Sequence, residues 1–590
     1  MFAAPAAGGS TAPRQPRVID EAAWLTACKA VFPWQPLARI AAGKTSPLLW
    51  GGSETVAADT VQLLTKLQRA LQAARWKNDL TGPLDWFLKD AAIADAPPPS
   101  LAREAVAWAS LLPTLAKQDK TNLALPTLRQ LLELNDAPLP NATADDALAQ
   151  LWLKVELPLI LACVAPDAKT ASSLRKGALG AESRLANAWL DPFGLPTKEL
   201  GKLLRPWSAA LVRAHELLRK TDIQFSDAAR ERLERLARHV LRLSRPDGSS
   251  MLQTARGTLS DREFLTAAVL ATTSTPSIAA LALGKGSADP KPVKGMPAAA
   301  LYSPKSSLAV LRNRWATPQA QATVDFSGPQ VWLDISCGNQ PLLHGHWDAT
   351  IQIQGETAPA IGPWTEVCWH SDADCDYIEI EQKLSGGYVL QRHVLLVRRD
   401  ECLLLADSLL NEAKVTPPEF IATAAQAPQL QYATQLQLAP DVAFAAQKES
   451  REGQLIQGRK PYALVLPLAL PEWRKQPVSG ELTAADGLLQ HRLQARGRNL
   501  FAPLWFDLNP GRFKSAQSTW RQLTVGESLQ VQPREVAVGY RVQVHYSQWL
   551  LYRSLAWRGN RTVLGKNFAT DFACCRFQPN GETQEILEVQ

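Results

Sequence analysis

In "PLLHGHWDATIQIQGE", Pro341 to Glu356, the side chains of His344, His346 and Asp348 fall at every second position. Imidazoles and carboxylates move protons near neutral pH, and both are ligands for zinc. Alternate residues of a strand share one face, about 7 Å apart, so these three could converge on one ion. A closed tetrahedral site would need another strand to contribute, and His370 or Asp372 is a candidate for that. The competing reading is that the spacing marks the solvent-facing side of a strand.

Other residues offer chemistry of a different kind. Tyr377 and Tyr388 are phenols close to this segment, and all eight tyrosines of the chain lie from Tyr302 onward. Arg392 could hold a carboxylate or sulfate through charge-assisted bonds. Trp347 and Trp369, among 19 tryptophans, present indole faces suited to the apolar face of a pyranose. Gly43-Lys44-Thr45 lacks the earlier glycine of a phosphate loop, Ala38 standing in its place. The eight cysteines include no CxxC pair, and adjacent Cys574 and Cys575 on a strand would point to opposite faces as buried thiols.

These residues must be positioned by more than one core, because 590 residues exceed what a single core organises. Hydrophobic residues make up 46% and charged residues 20%, an ordinary globular composition. The net charge of +7 is not gathered into any Lys/Arg block, which argues against nucleic acid and leaves a polyanion as the favoured partner class. No apolar run reaches the length of a membrane span, and the first residues lack a signal-peptide core, so the sequence by itself suggests the cytoplasm.

The apolar period divides the chain. Residues 1–17 read as a flexible tail and 18–283 as helices. In "TVQLLTKLQRALQAARW", Val61, Leu64, Leu67 and Leu71 form one stripe; in "FSDAARERLERLARHVLRLSRPDG", Ser226 caps a helix that Pro246 and Gly248 end. Residues 284–300 form a Gly/Pro/Lys linker, and from 301 to 590 the period falls to two. Val331, Leu333 and Ile335 alternate, as do Ile351 with Ile353 and Ile378 with Ile380. "GYVLQRHVLLVRRDECLLLADSLL" reads as two strands about an Arg399-Asp400-Glu401 turn, and Asn580-Gly581 signals a hairpin.

The order and spacing of "VWLDISCGNQPLL", "ATIQIQGE" and "DYIEIEQKLSGGYVLQRHVLLVRRDECLLLADSLL", with Arg392 and Asp407 in the matching places, resemble the heparinase II/III-like family of polysaccharide lyases. "RPDGSSML" is similar to the "pDGs" turns of that family's helical domain. The resemblance implies an N-terminal all-α incomplete (α/α) toroid, a C-terminal antiparallel β-sandwich, and an acidic, uronate-containing polysaccharide as partner. It also implies β-elimination, in which a base takes the proton α to a carboxylate, a neutraliser holds that carboxylate and an acid protonates the leaving oxygen. Such relatives work in the envelope or outside the cell.

The helical half departs from that pattern, having no tyrosine and only His215 and His239, each within an amphipathic helix. The family's catalytic set is therefore not recognisable there, and the candidates come from the β half: His344 or His346 with Tyr377 or Tyr388. "HGHWDATIQI" can be aligned as the family strand bearing the sandwich histidine and a zinc ligand. The preferred register instead aligns the Gly turn and "PLL", and leaves His344 and His346 at a solvated strand end. Expected substrate contacts are Arg392, Trp347 and Trp369. A metal site of His344, His346 and Asp348 is not favoured, and no cofactor is expected, with zinc as the alternative. The competing function is a glycan-binding or structural protein that does not cleave.

Overall fold

In a computed structural model, the described residues are 20–32, 37, 46–51, 57–93, 97–118, 121–219, 225–253, 259–272, 276–284, 293–315, 319–413, 426–514, 517–578, 580 and 582–590. The expected tail, the Gly43-Lys44-Thr45 segment, residues 285–292 of the linker and Gly581 lie outside them.

Twelve α-helices precede the first strand among the described residues: α1 (Glu21–Ala30), α2 (Ala58–Ala73), α3 (Thr81–Ile93), α4 (Pro99–Lys117), α5 (Thr121–Asp136), α6 (Ala144–Gln150), α7 (Leu157–Cys163), α8 (Ala168–Trp189), α9 (Leu200–Arg219), α10 (Asp227–Arg242), α11 (Leu259–Thr272) and α12 (Pro276–Ala282). None is long and apolar enough to cross a membrane. Strands begin at Leu301. The fold class is thus a helical part followed by large antiparallel sheets.

Two compact units divide the chain at other points than this change of period. The first holds α1 to α7, α8 up to Leu185 and the end of α9 from Arg213; the second holds 186–212 and everything from Ser226. In the first unit, α4 is buried on every side from Leu101 to Ala116, polar Arg103 and Glu104 included. Its Arg103 shares Glu156 with Arg213, which binds that carboxylate in a fork at 2.5 and 2.9 Å. The Leu48 carbonyl accepts from Arg103 Nη2 at 2.8 Å and the Pro47 carbonyl from Arg213 Nη1 at 3.1 Å, which helps this core to tolerate charge.

In the second unit, α10 begins as its sequence signals, Ser226 accepting from the Ala229 N–H. Beyond it the chain makes the turn 245–250, closed by Gly248 N–H to Arg245 O (2.9 Å), with Gly248 at φ +91°. The sheets follow. β1 (Leu301–Ser303), β2 (Leu308–Arg312), β3 (Ala320–Asp325), β4 (Val331–Cys337) and β5 (Gln340–Ile353) run in sequence order, with β6 (Glu356–Thr357) pairing β5. β7 (Thr365–Ser371), β8 (Cys375–Leu384), β9 (Tyr388–Val397) and β10 (Cys402–Asn411) form a meander. β11 (Gln429–Leu438) joins the first sheet; β12 (Val442–Ala446), β13 (Gly453–Gln457) and β14 (Lys460–Pro467) join the second. β15 (Gly480–Ala485) and β16 (Leu488–Arg496) return to the first, and β17 (Leu500–Asp507) closes the second against β10.

One core lies between these sheets, taking Val331, Leu333 and Ile335 from β4, Ile351 from β5 and Ile378 and Ile380 from β8. The alternating apolar residues of the period-two segments are the ones that turn inward. A third sheet, built from Ser518–Leu523, Ala537–Val544, Ser547–Ser554, Phe572–Phe577 and Thr583–Val589, packs on the outer face of the second through Tyr377, Leu395, Trp505 and Trp549. Every cysteine is a free thiol, and Cys574 and Cys575 face different clusters, as alternation requires.

Candidate functional site

Strands β4 and β5 are joined by the two-residue turn Gly338-Asn339, with Gly338 at φ +59°. That hairpin places Asp334 opposite His344 and Trp332 opposite His346. Since Val331, Leu333 and Ile335 fill the sandwich core, Trp332, Asp334 and Ser336 take the other face. This face is covered by the turn after α10: Trp332 Nε1 donates to Met251 O (3.1 Å), and Arg245 reaches Asp334, Ser336 and His344.

Asp334 and His344 are both buried, at 0% and 3% exposure. His344 Nδ1 lies 2.6 Å from Asp334 Oδ2, and Ser336 Oγ donates to Asp334 Oδ1 at 2.8 Å. The Arg245 guanidinium donates to Asp334 Oδ2, to Ser336 Oγ (2.9 Å), to Ser249 Oγ (3.0 Å) and to Ser250 O (2.7 Å). Burial alone would raise the Asp334 carboxyl, but Arg245, His344 and Ser336 together hold it below the usual carboxylate range. An ionised Asp334 fixes the proton on His344 Nδ1 and leaves Nε2 as the lone-pair nitrogen, which is the orientation of a general base. Nε2 is sealed from solvent and meets no hydrogen-bond partner among the described residues. Trp332 meets the His344 ring in T-shaped geometry at 5.0 Å and the His346 ring at 5.4 Å.

Gly345, between the two histidines, is required by packing. A Cβ there would lie 2.8 Å from Gln437 Cβ and collide with its amide, at a backbone φ of +153°.

His344 is therefore not on a solvated strand end; it is a mid-strand residue covered by the Arg245 turn. His346 and Asp348 are exposed, and Asp348 accepts from Gln330 Nε2 at 3.1 Å. Three buried or diverging environments do not converge on an ion: His344, His346 and Asp348 form no metal-holding group, and the one such group among the described residues is His370, Asp372 and Cys375.

Tyr377 and Tyr388 are not beside His344. The Tyr377 hydroxyl donates to Glu379 Oε2 (2.7 Å) and lies 2.9 Å from His393 Nδ1, so a phenol and an imidazole do meet. They meet where the second and third sheets pack, with both residues at 0% exposure. Burial, then Glu379, pushes the Tyr377 hydroxyl well above its ordinary value, the reverse of what a phenolate base needs. Tyr388 is buried in the sandwich core.

Arg392 faces inward as well. It donates from Nε to Asp407 Oδ1 (3.2 Å) and from Nη1 to Trp347 O, and its guanidinium lies 4.5 and 4.8 Å from the Trp347 and Trp364 rings. Trp347 is buried and donates to Thr434 Oγ1 (3.0 Å). A cavity of about 240 Å³ opens beside Trp347, Trp364 and Arg392. Trp369 is half-buried on edge strand β7 and stacks on Tyr302 at 5.5 Å. Of the helical histidines, His215 stacks on Phe225 (6.1 Å) and His239 bonds Phe193 O (2.8 Å), both structural placements.

Nothing in the sequence pattern by itself marks Arg245, Asp334 or Ser336 as site residues. The turn after α10 and the β4–β5 hairpin join them to His344.

The fold has solved counterparts. A heparan sulfate lyase HepC mutant from Pedobacter heparinus superposes with a TM-score of 0.53 at 12% identity, over 93% of this chain and 91% of that one. A heparinase III gives 0.53 at 11% identity, over 92% of this chain and 93% of that one. No family model matches the sequence, and no curated protein matches it. At these identities the likeness establishes a distant polysaccharide-lyase-like fold.

Proposed function

We propose that the protein acts on an acidic, uronate-containing polysaccharide by β-elimination, with His344 as the proton-transferring group. The observation that carries this reading is the His344-Asp334 pair: Nδ1 anchored at 2.6 Å on a buried carboxylate, Nε2 left without a protein partner. Elimination takes a proton α to a carboxylate and returns one to the leaving oxygen. A single imidazole held in one tautomer can do both in turn. Asp334 positions the ring, and Arg245 positions Asp334. Support for the substrate class comes from the structural neighbours, a heparan sulfate lyase and a heparinase III, and from the net positive charge of the chain.

The sealing of Nε2 and the lack of a tyrosine beside it favour a second reading, in which the chain binds such a glycan without cleaving it. Incubation with a panel of acidic glycans, read by the ultraviolet absorbance of unsaturated uronate ends, separates the two. Product formed by the native protein and abolished in His344→Gln supports elimination. Measurable glycan affinity with no absorbance from any glycan overturns it.

A further inference from the structure

We propose that the β7–β8 hairpin is a binding site for a zinc-class divalent cation, with His370, Asp372 and Cys375 as its ligands. The sequence there is "HSDADCD", His370 to Asp376. One ligand atom from each of the three residues lies within 4.8 Å of the others. Imidazole, carboxylate and thiol are the donor types of zinc sites, and a thiol in the set selects a borderline-soft ion over magnesium or calcium.

The geometry goes beyond proximity. His370 Nε2 and Asp372 Oδ2 are 3.1 Å apart, close to the roughly 3.3 Å edge of a tetrahedron with metal–ligand bonds of about 2.0 Å. Asp372 is held in place by its other oxygen, which accepts from the N–H groups of Asp374 and Cys375 at 2.8 Å each. That turn is the outer-shell support that orients a ligating carboxylate. Cys375 is locked by its strand, paired with Val397 on β9 and packed in the cluster between the second and third sheets. Its Sγ makes only a long contact to Ile586 O, 3.5 Å, which a metal bond would replace. Residues 372, 374 and 376 bring three carboxylates to one turn, against one guanidinium, Arg398, which is committed to Asp376 at 2.5 Å. The turn is thus electronegative, and a dication relieves it.

On binding, the thiol proton leaves to solvent and the imidazole carries its own proton on Nδ1, so one proton is released per ion. Three protein ligands leave the fourth position to water. This site lies apart from His344 and does not depend on the proposed elimination.

The test is a titration of the metal-stripped full-length protein with Co²⁺ at fixed pH, followed by displacement with Zn²⁺. The expected result is one equivalent giving a thiolate-to-cobalt charge-transfer band in the near ultraviolet, with the visible bands of tetrahedral cobalt. Cys375→Ser abolishes the charge-transfer band, whereas Cys368→Ser, one strand away, keeps it. His370→Gln and Asp372→Asn each weaken Co²⁺ binding tenfold or more. No saturable band in the native protein overturns the site, as does a band that survives Cys375→Ser. If Cys375→Ser does not fold, unchanged affinity in both His370→Gln and Asp372→Asn overturns it equally.

Discussion

Protonation of His239 should cost the fold about 3 kcal/mol between pH 7 and pH 4. The residue is 4% exposed at the end of α10; its Nε2 bonds Phe193 O at 2.8 Å, and Arg242 Nη1 lies 3.3 Å from Nδ1. Those two contacts fit only the neutral ring, with Nε2–H donating to the carbonyl and Nδ1 accepting from the guanidinium. A second proton would have to sit on Nδ1, facing Arg242 and near Arg238. Burial lowers the imidazole from 6.5 to about 4; the Phe193 carbonyl, the next largest influence, pulls it up, Arg242 pushes it down again, and Asp191 and Arg238 act more weakly. Because the folded value is below the unfolded one, the unfolded chain binds more protons between them. The stabilising contribution is therefore complete above pH 6.5 and lost as pH falls towards 4. His239→Gln keeps a donor for Phe193 O and cannot titrate. Unfolding free energies of both proteins, taken from denaturant titrations between pH 7 and pH 4, should show the native protein losing about 3 kcal/mol relative to His239→Gln as acid is added, while effects common to both cancel in the difference. Parallel free energies over this range would refute the assignment of a buried neutral ring.

Gly345→Ala should destabilise the chain by about 1 to 3 kcal/mol through its clash with Gln437; Gln437→Ala in the same chain should recover part of the loss in denaturant unfolding. Arg392→Ala should cost about 3 to 5 kcal/mol, since it leaves buried Asp407 uncompensated, and the same measurement reads it. Tyr377→Phe should cost about 1 to 3 kcal/mol by stripping Glu379 and His393 of a partner, with glycan affinity unchanged in isothermal titration.

The inward residues of the sandwich were legible because burial between two sheets writes an unambiguous period: Val331, Leu333, Ile335, Ile378 and Ile380 all face the core predicted for them. Some of the site is legible in the sequence too. Gly338-Asn339 is a two-residue hairpin loop, and folding "VWLDISCGNQPLLHGHW" about it sets Asp334 against His344. The same symmetry about the 398–401 turn sets Arg392 against Asp407, so the arginine taken for a substrate clamp already had a carboxylate opposite it. What one strand cannot disclose is which of its polar residues stay dry. Asp334, Glu379 and His393 alternate with core residues as solvated side chains do, and each is covered by a layer that arrives from far along the chain: Arg245 and Met251 from 89 and 81 residues away, and Arg553 from 174. A period of two assigns residues to faces. The wetness of the second face is a tertiary property, set here by the turn after α10 and by the third sheet, and it turns a histidine expected in water into one held by a buried carboxylate.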